Sequence, residues 1–579
     1  MEGKKQITTE AINELFGIKE SFELPASLMS KLLDKEEKDK LCRAFMEFDF
    51  DMKNDCLRDY FQSNAANRSE LKQDYTPDCL CQLISKLIPK TEKIIDICSG
   101  TGALTINTAR DGVQYQCEEL SQMSIPVLLF NLALRNISAT ILQKNVLTNT
   151  TEKIYILEKG EEFSDITITA EHQEEKVDVV ISNPPYSLKW KPKQDDRFEG
   201  YDLAPAKAAD YAFVLDGLSR LTDAGQAFYI LPHGVLFRGN SEGKIRKQLL
   251  ENNLIDAIIG LPDKLFLNTS IPVCVIVFNK AKKTDDVLFI SAEKLFDKSG
   301  KQNVMTDEHI KKIAEVYKKR ETVEKFSAVV SIEEIRENDY NLNIPRYVDI
   351  FEREKVLTMS EAIKQFIECD IELKMATREH VSQVKQLVGD DEFNKQKDEF
   401  IEYFENNDIV GETMCEWLRL QQLESRLDYI KKHAKQERKS VLELADFERV
   451  KKEKVYKAGT IYIQLSATDG IVRYLDEDKE LEEKYGVFIP KSEYICALAL
   501  YYAIESEISE FLSRYQSGLN INPDIFKYMK ITHFPEQKYQ KELEEIIRGF
   551  ESAIHMEQDM HENLIQYKKS SLSAMFPAC

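Results

Sequence analysis

Apolar positions in the first 70 residues recur at helical spacing: Leu28, Leu32 and Leu33 are followed by Leu41, Phe45 and Phe48, and no stretch alternates as a half-buried strand does. A small helical domain is expected over 1–70. From about residue 71 to 290 the pattern changes to short β-rich runs separated by amphipathic segments, namely Ile94 to Ile97, Val113 to Cys117, Val177 to Ile181, Ala227 to Leu231, Ala257 to Leu261 and Val273 to Phe278. Strands that alternate with helices predict an α/β fold with a mostly parallel, doubly wound, Rossmann-like sheet, here over 71–350. Residues 351–440 return to a charged helical pattern, a connector, and 441–533 mix strand and helix signals as an α+β domain does. Within 534–579, Leu543, Ile547, Phe550 and Ile554 fall at alternating four- and three-residue steps, the stripe of a helix that pairs with another.

Composition sets bounds. A chain of 579 residues is long enough for two or three cores. Hydrophobic residues at 43% and charged residues at 31% belong to a soluble globular protein, and the net charge of -22 requires any surface for duplex DNA to be locally basic. The eleven cysteines sit singly apart from Cys79 and Cys81, with no pair of CxxC motifs, so no metal is expected and the thiols are those of a cytoplasmic protein. The longest apolar run, Ile495 to Ile504, is about half of the ~20 residues that cross a bilayer, and no membrane association is expected.

Chemistry first shows at Asp96-Ile97-Cys98-Ser99-Gly100-Thr101-Gly102, directly after a predicted strand and before a helix. Glycines in such a turn let the backbone approach a ligand closely. The next strand ends about twenty residues on at Glu118, where a doubly wound fold places a carboxylate for ribose hydroxyls. A leading Asp followed by GxG, without a third glycine or a phosphate-binding lysine, favours S-adenosyl-L-methionine over NAD or ATP. Upstream, Tyr75-Thr76-Pro77 precedes an amphipathic helix whose start could hold the methionine carboxylate. The plain alternatives are a tight turn with a surface glutamate, and an ordinary helix cap.

The strand Val177 to Ile181 delivers Asn183-Pro184-Pro185-Tyr186 at its carboxyl end, where such sheets bind ligands. An exocyclic amine on an aromatic ring is a poor nucleophile because its lone pair is delocalised. The Asn183 side-chain oxygen and the Pro184 carbonyl would accept from its two N–H bonds and favour a pyramidal nitrogen in the transition state. The prolines stiffen the loop, and the Tyr186 ring offers a face for an extruded base, a stack worth ~1–3 kcal/mol. Alone, the tetrapeptide serves adenine N6, cytosine N4 or a protein amide nitrogen. A proline-rich surface turn is its plain reading.

These residues, with Asp210-Tyr211-Ala212-Phe213, Leu231 to Phe237, Gly260-Leu261-Pro262 and Tyr340 to Val348, make the stretch from Tyr75 to Val348 resemble the N6-adenine modification subunits of Type I restriction-modification systems. The resemblance implies a site-specific DNA adenine methyltransferase of a restriction or related defence system. Tyr75, Thr76, Pro77, Asp96, Ser99, Gly100, Thr101, Gly102 and Glu118 would line the cofactor, and Tyr186 and Phe213 the substrate adenine. Two positions depart from the pattern. Asn145 stands where an Asp usually contacts the cofactor adenine, and Asp74 stands where a Phe is common.

Residues 441 to 529, with Gly459 to Ser466 and Gln516 to Ile521, resemble one target-recognition domain of a Type I specificity subunit, and the run from Phe534 resembles that subunit's helical spacer. One such domain and one spacer per chain imply a homodimer through the C-terminal helix on a palindromic, bipartite DNA site. Lys431, Lys432, Lys435, Arg438, Lys439, Arg449, Lys451, Lys452, Lys454 and Lys457 supply a basic footprint, interleaved with Glu437, Glu443, Glu448 and Glu453 as on a solvated helix face. Gln464, Ser466, Arg473 and Asn520 are the candidate base contacts. An accessory α+β domain with a dimerising helix is the alternative. Asp59, Glu70 and Lys72 have a loose nuclease spacing without the β-strands such a site needs, and no GxxxxGK[ST] is present, so cleavage would require a separate restriction subunit. Two other functions remain open: glutamine N5 methylation of a protein, and a catalytically inert DNA-binding defence component.

Overall fold

Among the described residues, eleven strands form one continuous sheet: β1 (Lys93–Ile97), β2 (Gln114–Glu119), β3 (Ala139–Asn145), β4 (Thr150–Glu158), β5 (Asp165–Thr169), β6 (Val177–Ser182), β7 (Leu221–Pro232), β8 (Ile255–Gly260), β9 (Val273–Asn279), β10 (Asp286–Ser291) and β11 (Ser327–Ser331). The computed structural model describes residues 4–552 apart from 59, 62–74, 267–268, 301, 352–374, 376–377, 380, 407–409 and 469. Asp59, Glu70, Lys72, Asp74, Ile554 and the helix end near 572–576 lie outside the described residues. The chain divides into two units, Met1–Ile350 and Phe351–Cys579.

The sheet order is β11-β10-β8-β9-β7-β6-β1-β2-β3-β4-β5. The five strands from β7 to β3 run parallel, as the alternating pattern predicts, and β8 is parallel to β10. β9 is antiparallel to both neighbours, and β4, β5 and β11 extend the two ends in antiparallel pairing. The sheet is therefore mixed, and the short links from β3 to β4, β4 to β5 and β8 to β9 are of the kind that antiparallel neighbours allow. The chain winds outward from β1 to β2 and β3, then returns to place β6 on the other side of β1. That reversal of direction is where doubly wound sheets bind ligands.

Each face of the sheet carries a core. Ile94, Val179 and Ile181 face a layer built from α4 (Asp78–Leu87), α5 (Ala103–Thr108), α6 (Ser124–Leu134) and α9 (Asp307–Lys319). Ile95, Ile97 and Val180 face α7 (Asp210–Arg220), α8 (Asn240–Glu251) and α10 (Ile332–Glu337). The N-terminal helices α1 (Thr9–Phe16), α2 (Leu24–Leu32) and α3 (Lys35–Phe45) join the first of these cores. Every residue of α6 is buried, as an all-round apolar helix must be, since it is sandwiched between the sheet and these helices. Phe130 on α6 meets Phe16 and Phe45 at ring separations of 5.6 and 5.3 Å. Leu28, Leu32, Leu41, Phe45 and Phe48 are buried, whereas Leu33, at the end of α2, points outward.

In the second unit, β12 (Glu437–Ser440) and β17 (Lys530–His533) pair antiparallel. Between them in sequence lie β13 (Ala445–Arg449), β14 (Ile461–Gln464), β15 (Val472–Tyr474) and β16 (Tyr485–Pro490), ordered β13-β16-β14-β15, with α12 (Ala497–Tyr515) in the same core. The helix of 537–552 runs antiparallel to α11 (Val410–His433). Leu423 meets Gly549, Arg426 pairs with Glu542 and Glu545 at 3.4 and 2.9 Å, and Ile430 clusters with Tyr539. Leu543 and Phe550 of the predicted stripe therefore pack on a helix of the same chain. Among the described residues, no helix is long and apolar enough to cross a membrane.

Truncating Phe130 to Ala is expected to cost about 3–5 kcal/mol, because it empties the junction of the N-terminal helices with the sheet. A lowered thermal midpoint of the first unit checks it.

Candidate active site

Because β1 pairs with β2 and β6, Ile97 stands opposite both Glu118 and Ser182, and the loops that follow the strands open at one level. The Ser182 hydroxyl donates to the Ile97 carbonyl at 2.6 Å and fastens the two strand ends together. Between them lies a pocket open to solvent, lined by Tyr75, Thr76, Cys98, Ser99, Gly100, Thr101, Glu118, Glu119, Asn145, Asn183, Pro184, Pro185, Tyr186 and Phe213, with Leu120, Leu147 and Leu188 among its apolar walls.

The structure thus brings most of the sequence-selected residues to one cavity. Pro77, Asp96 and Gly102 are not among the lining residues. Pro77 caps α4, Gly102 caps α5, and the buried Asp96 carboxylate accepts from the Thr105 hydroxyl at 2.7 Å, tying β1 to the helix that follows the glycine turn. Burial drives the Asp96 carboxyl from its ordinary 3.8 up to about 7, against the opposing Thr105 bond. Gly100 has φ +57, and a Cβ there would lie 2.9 Å from the Tyr75 ring. Tyr75 is held in turn by its hydroxyl contact with Ser124 at 3.0 Å.

Glu118 and Glu119 face opposite sides of the sheet. Glu118 bonds to Arg220 and, at 3.4 Å, to Lys144, and Arg220 also pairs with Asp216. The Glu119 carboxylate accepts from the Gly100 and Ser121 amides at 2.9 and 2.7 Å, so it sits on the glycine turn itself. Burial raises its pKa while those two amides oppose the shift. Glu119 was not among the residues selected from sequence, although strand alternation signals it, since it follows Tyr115 and Cys117 on one face. Asn145 spends its side-chain oxygen on the Leu147 and Thr148 amides at 3.1 and 3.2 Å, closing the turn after β3.

In the tetrapeptide, the Asn183 amide nitrogen donates to the Thr76 hydroxyl at 3.0 Å, and the Tyr186 hydroxyl donates to the Asn183 side-chain oxygen at 2.7 Å. Phe266 packs edge-on against Tyr186 with ring centres 6.1 Å apart. Beyond Tyr186, the buried Asp210 accepts from the Ser187 amide at 2.9 Å and pairs with Arg238, anchoring the loop to α7. Sequence reasoning also passed over Asp55, which has no local signature: it binds the Thr101 hydroxyl and accepts from Asn131 at 2.9 Å behind the turn.

In the second unit, Gln464, Ser466 and Asn520 gather at one loop cluster. Gln464 donates to the Ser466 and Ala467 carbonyls at 2.8 and 3.0 Å, and Asn520 accepts from the Ala467 amide at 2.8 Å, so both brace the loops. Arg473 lies on β15 opposite Tyr462, with its guanidinium over the Tyr485 ring.

Residues 54–356 match the family model described as N-6 DNA Methylase. The chain belongs to this N-6 DNA methylase family. Residues 394–566 match a second model, the Type I restriction modification DNA specificity domain. Among relatives of the methylase part, the Type I restriction enzyme MjaVII methylase subunit of Methanocaldococcus jannaschii is 30% identical over 59% of this chain and 61% of its own length. The MpnII methylase subunit of Mycoplasma pneumoniae is 27% identical over 54% and 60%. The chain spans about six-tenths of the length of these curated relatives. A crystal structure of a type I restriction-modification system methyltransferase subunit from Streptococcus thermophilus is 35% identical, covering 56% of this chain and 67% of that one at a TM-score of 0.44.

Two outcomes follow for this methylase pocket. Gly100→Ala meets both the positive φ and the Tyr75 ring, and is expected to lower the thermal midpoint of the first unit. The raised Asp96 carboxyl keeps a proton in the folded state that the unfolded chain releases. Its contribution to stability is therefore full in acid and lost as pH rises through about 7. Urea midpoints should fall from about pH 4 to about pH 7 and level off above, and Asp96→Asn should flatten that slope.

Proposed function

We propose that this chain is a site-specific adenine-N6 DNA methyltransferase that uses S-adenosyl-L-methionine and carries part of its own DNA-recognition apparatus. The observation that carries the reading is the tetrapeptide on the rim of the glycine-turn pocket, with Asn183, Pro184 and Tyr186 lining the same cavity as Gly100 and Glu119.

The cavity fits the cofactor. A carboxylate sits on the glycine turn, and Leu120, Leu147 and Phe213 give the pocket apolar walls for a purine. Both glutamates are candidates to accept from ribose hydroxyls: Glu119 sits on the glycine turn, and Glu118, whose Oε1 meets Arg220 and Lys144, keeps a buried Oε2 with no hydrogen-bond partner among the described residues. Tyr75 and Thr76, before the start of α4, would border the amino-acid end. When bound, the sulfonium supplies an electrophilic methyl group. The protein's part is to prepare the amine. The Asn183 oxygen has two lone pairs, so it can face the Tyr186 hydroxyl and still accept from an amine N–H in the reaction. The Pro184 carbonyl accepts the second N–H, and together they draw the nitrogen lone pair out of ring conjugation toward the donor. Tyr186, buttressed by Phe266, offers its ring to a base rotated out of the duplex.

A glutamine side chain presents the same nitrogen chemistry. The match of residues 394–566 to a DNA specificity domain favours DNA. In that unit the loop cluster of Gln464, Ser466 and Asn520, together with Arg473 on β15, is the proposed reading surface. One recognition module per chain favours a homodimer. Because the 537–552 helix already packs on α11, a second copy would join on other faces of that helix pair. A separate specificity or restriction subunit is the other proposed partner.

Expressed alone in a host free of adenine methylation, the chain is expected to place N6-methyladenine in one bipartite motif. Asn183→Ala should lower that signal by at least about 10²–10³-fold. Methylation that survives this substitution would sink the mechanism, and labelled protein with unmodified DNA would transfer the reading to glutamine.

A further inference from the structure

We infer that Thr76 is a positioning residue for methyl transfer: its hydroxyl fixes which way the Asn183 carboxamide faces. The inference rests on the function proposed above and deepens it.

A carboxamide has two orientations of nearly equal shape, related by a half-turn of its terminal torsion, and only one presents the oxygen to an amine. In this site each end of the Asn183 amide has a complementary partner, with the nitrogen on Thr76 Oγ1 at 3.0 Å and the oxygen on the Tyr186 hydroxyl at 2.7 Å. Thr76 is itself buried, and its backbone carbonyl accepts from Arg58 Nη1 at 3.3 Å. Arg58 is pinned by Asp78 at 2.6 Å, at the first residue of α4. Three residues upstream, Asp55 holds Thr101 and Asn131 behind the glycine turn. The short segment carrying Asp55 and Arg58 therefore braces the cofactor turn with one side chain and, through Thr76, the acceptor asparagine with the other. The oxygen of Thr76 is aimed at Asn183, which gives it a task separate from holding a cofactor carboxylate.

The test compares Thr76→Val, which keeps the shape and removes the acceptor, with Thr76→Ser, which restores it, in the full chain. Single-turnover transfer to DNA is measured at saturating cofactor, and S-adenosylhomocysteine affinity is measured by calorimetry. Thr76→Val is expected to slow transfer about a hundredfold with affinity changed by less than about threefold, and Thr76→Ser to return to within about threefold of wild type. If Thr76→Val does not fold, Thr76→Cys takes its place, its weakly accepting thiol giving an intermediate rate. An unchanged rate at saturation with affinity lost about tenfold makes Thr76 a cofactor contact and overturns the inference. A Thr76→Ser chain as slow as Thr76→Val overturns it as well. A wild-type chain that binds S-adenosylhomocysteine and methylates no DNA removes the proposed function itself, and this inference with it.

Discussion

Strands β1 and β6 pair in parallel from Ile94 opposite Val179 to Ile97 opposite Ser182, so two segments far apart in sequence end at the same height. Every feature of the pocket depends on that level. The glycine turn leaves β1 and the tetrapeptide leaves β6, and a slip of one residue would exchange the faces of Val179, Val180 and Ile181 between the two cores. Register here is enforced by apolar burial on both sides of the sheet. The Ser182 bond to the Ile97 carbonyl adds a local stitch at the point where pairing ends.

Around this fixed pair, the site is built from charges that are costly to bury. Glu118, Arg220, Asp216, Arg197 and Lys144 form a connected network on the α7 side, and Glu119 and Asp55 take up amides and hydroxyls on the other. A buried ion network of this kind adds little net stability, because desolvation opposes the mutual attraction. What it supplies is rigidity. The walls of the cavity come from side chains that lose a partner whenever they move, which suits a reaction controlled by alignment.

The parallel centre of the sheet could be read from the sequence because its strands are apolar runs, nearly continuous at Val177 to Ile181 and continuous at Ala227 to Leu231. The edge strands could not. Thr150–Glu158 and Asp165–Thr169 are rich in threonine and charge, with several side chains in water, and β3 interrupts its apolar run with Gln143 and Lys144, which are buried through polar partners. The tetrapeptide and the glycine turn were legible because their chemistry is local. Glu119 was not selected beside Glu118, since two adjacent glutamates at a strand end are told apart by facing, and facing shows only when the alternation is counted back to Tyr115. Asp55 and Arg58 carried no local signal, because their partners Thr101 and Thr76 lie 46 and 18 residues away. Of the C-terminal stripe, Leu543 and Phe550 pack on α11 and Ile554 lies outside the described residues; periodicity gives no sign of whose helix fills such a surface.

The two-stranded pairing of β12 with β17 brings the chain into the second unit's sheet and out again through neighbouring residues, Glu437 opposite His533 and Ser440 opposite Lys530. The helices on either side are joined to this neck and packed on each other, so their spacing is fixed outside the module. Everything between Ser440 and Lys530 is in effect a cassette on a clamp. Where it meets the 537–552 helix, Tyr494 and Cys496 bond to Gln540 and Tyr502 to Glu551, and loops away from those contacts can be rewritten without changing the helix pair that carries it. In a protein whose target is set by such an insert, new sequence preference can arise by replacing one contiguous stretch of gene.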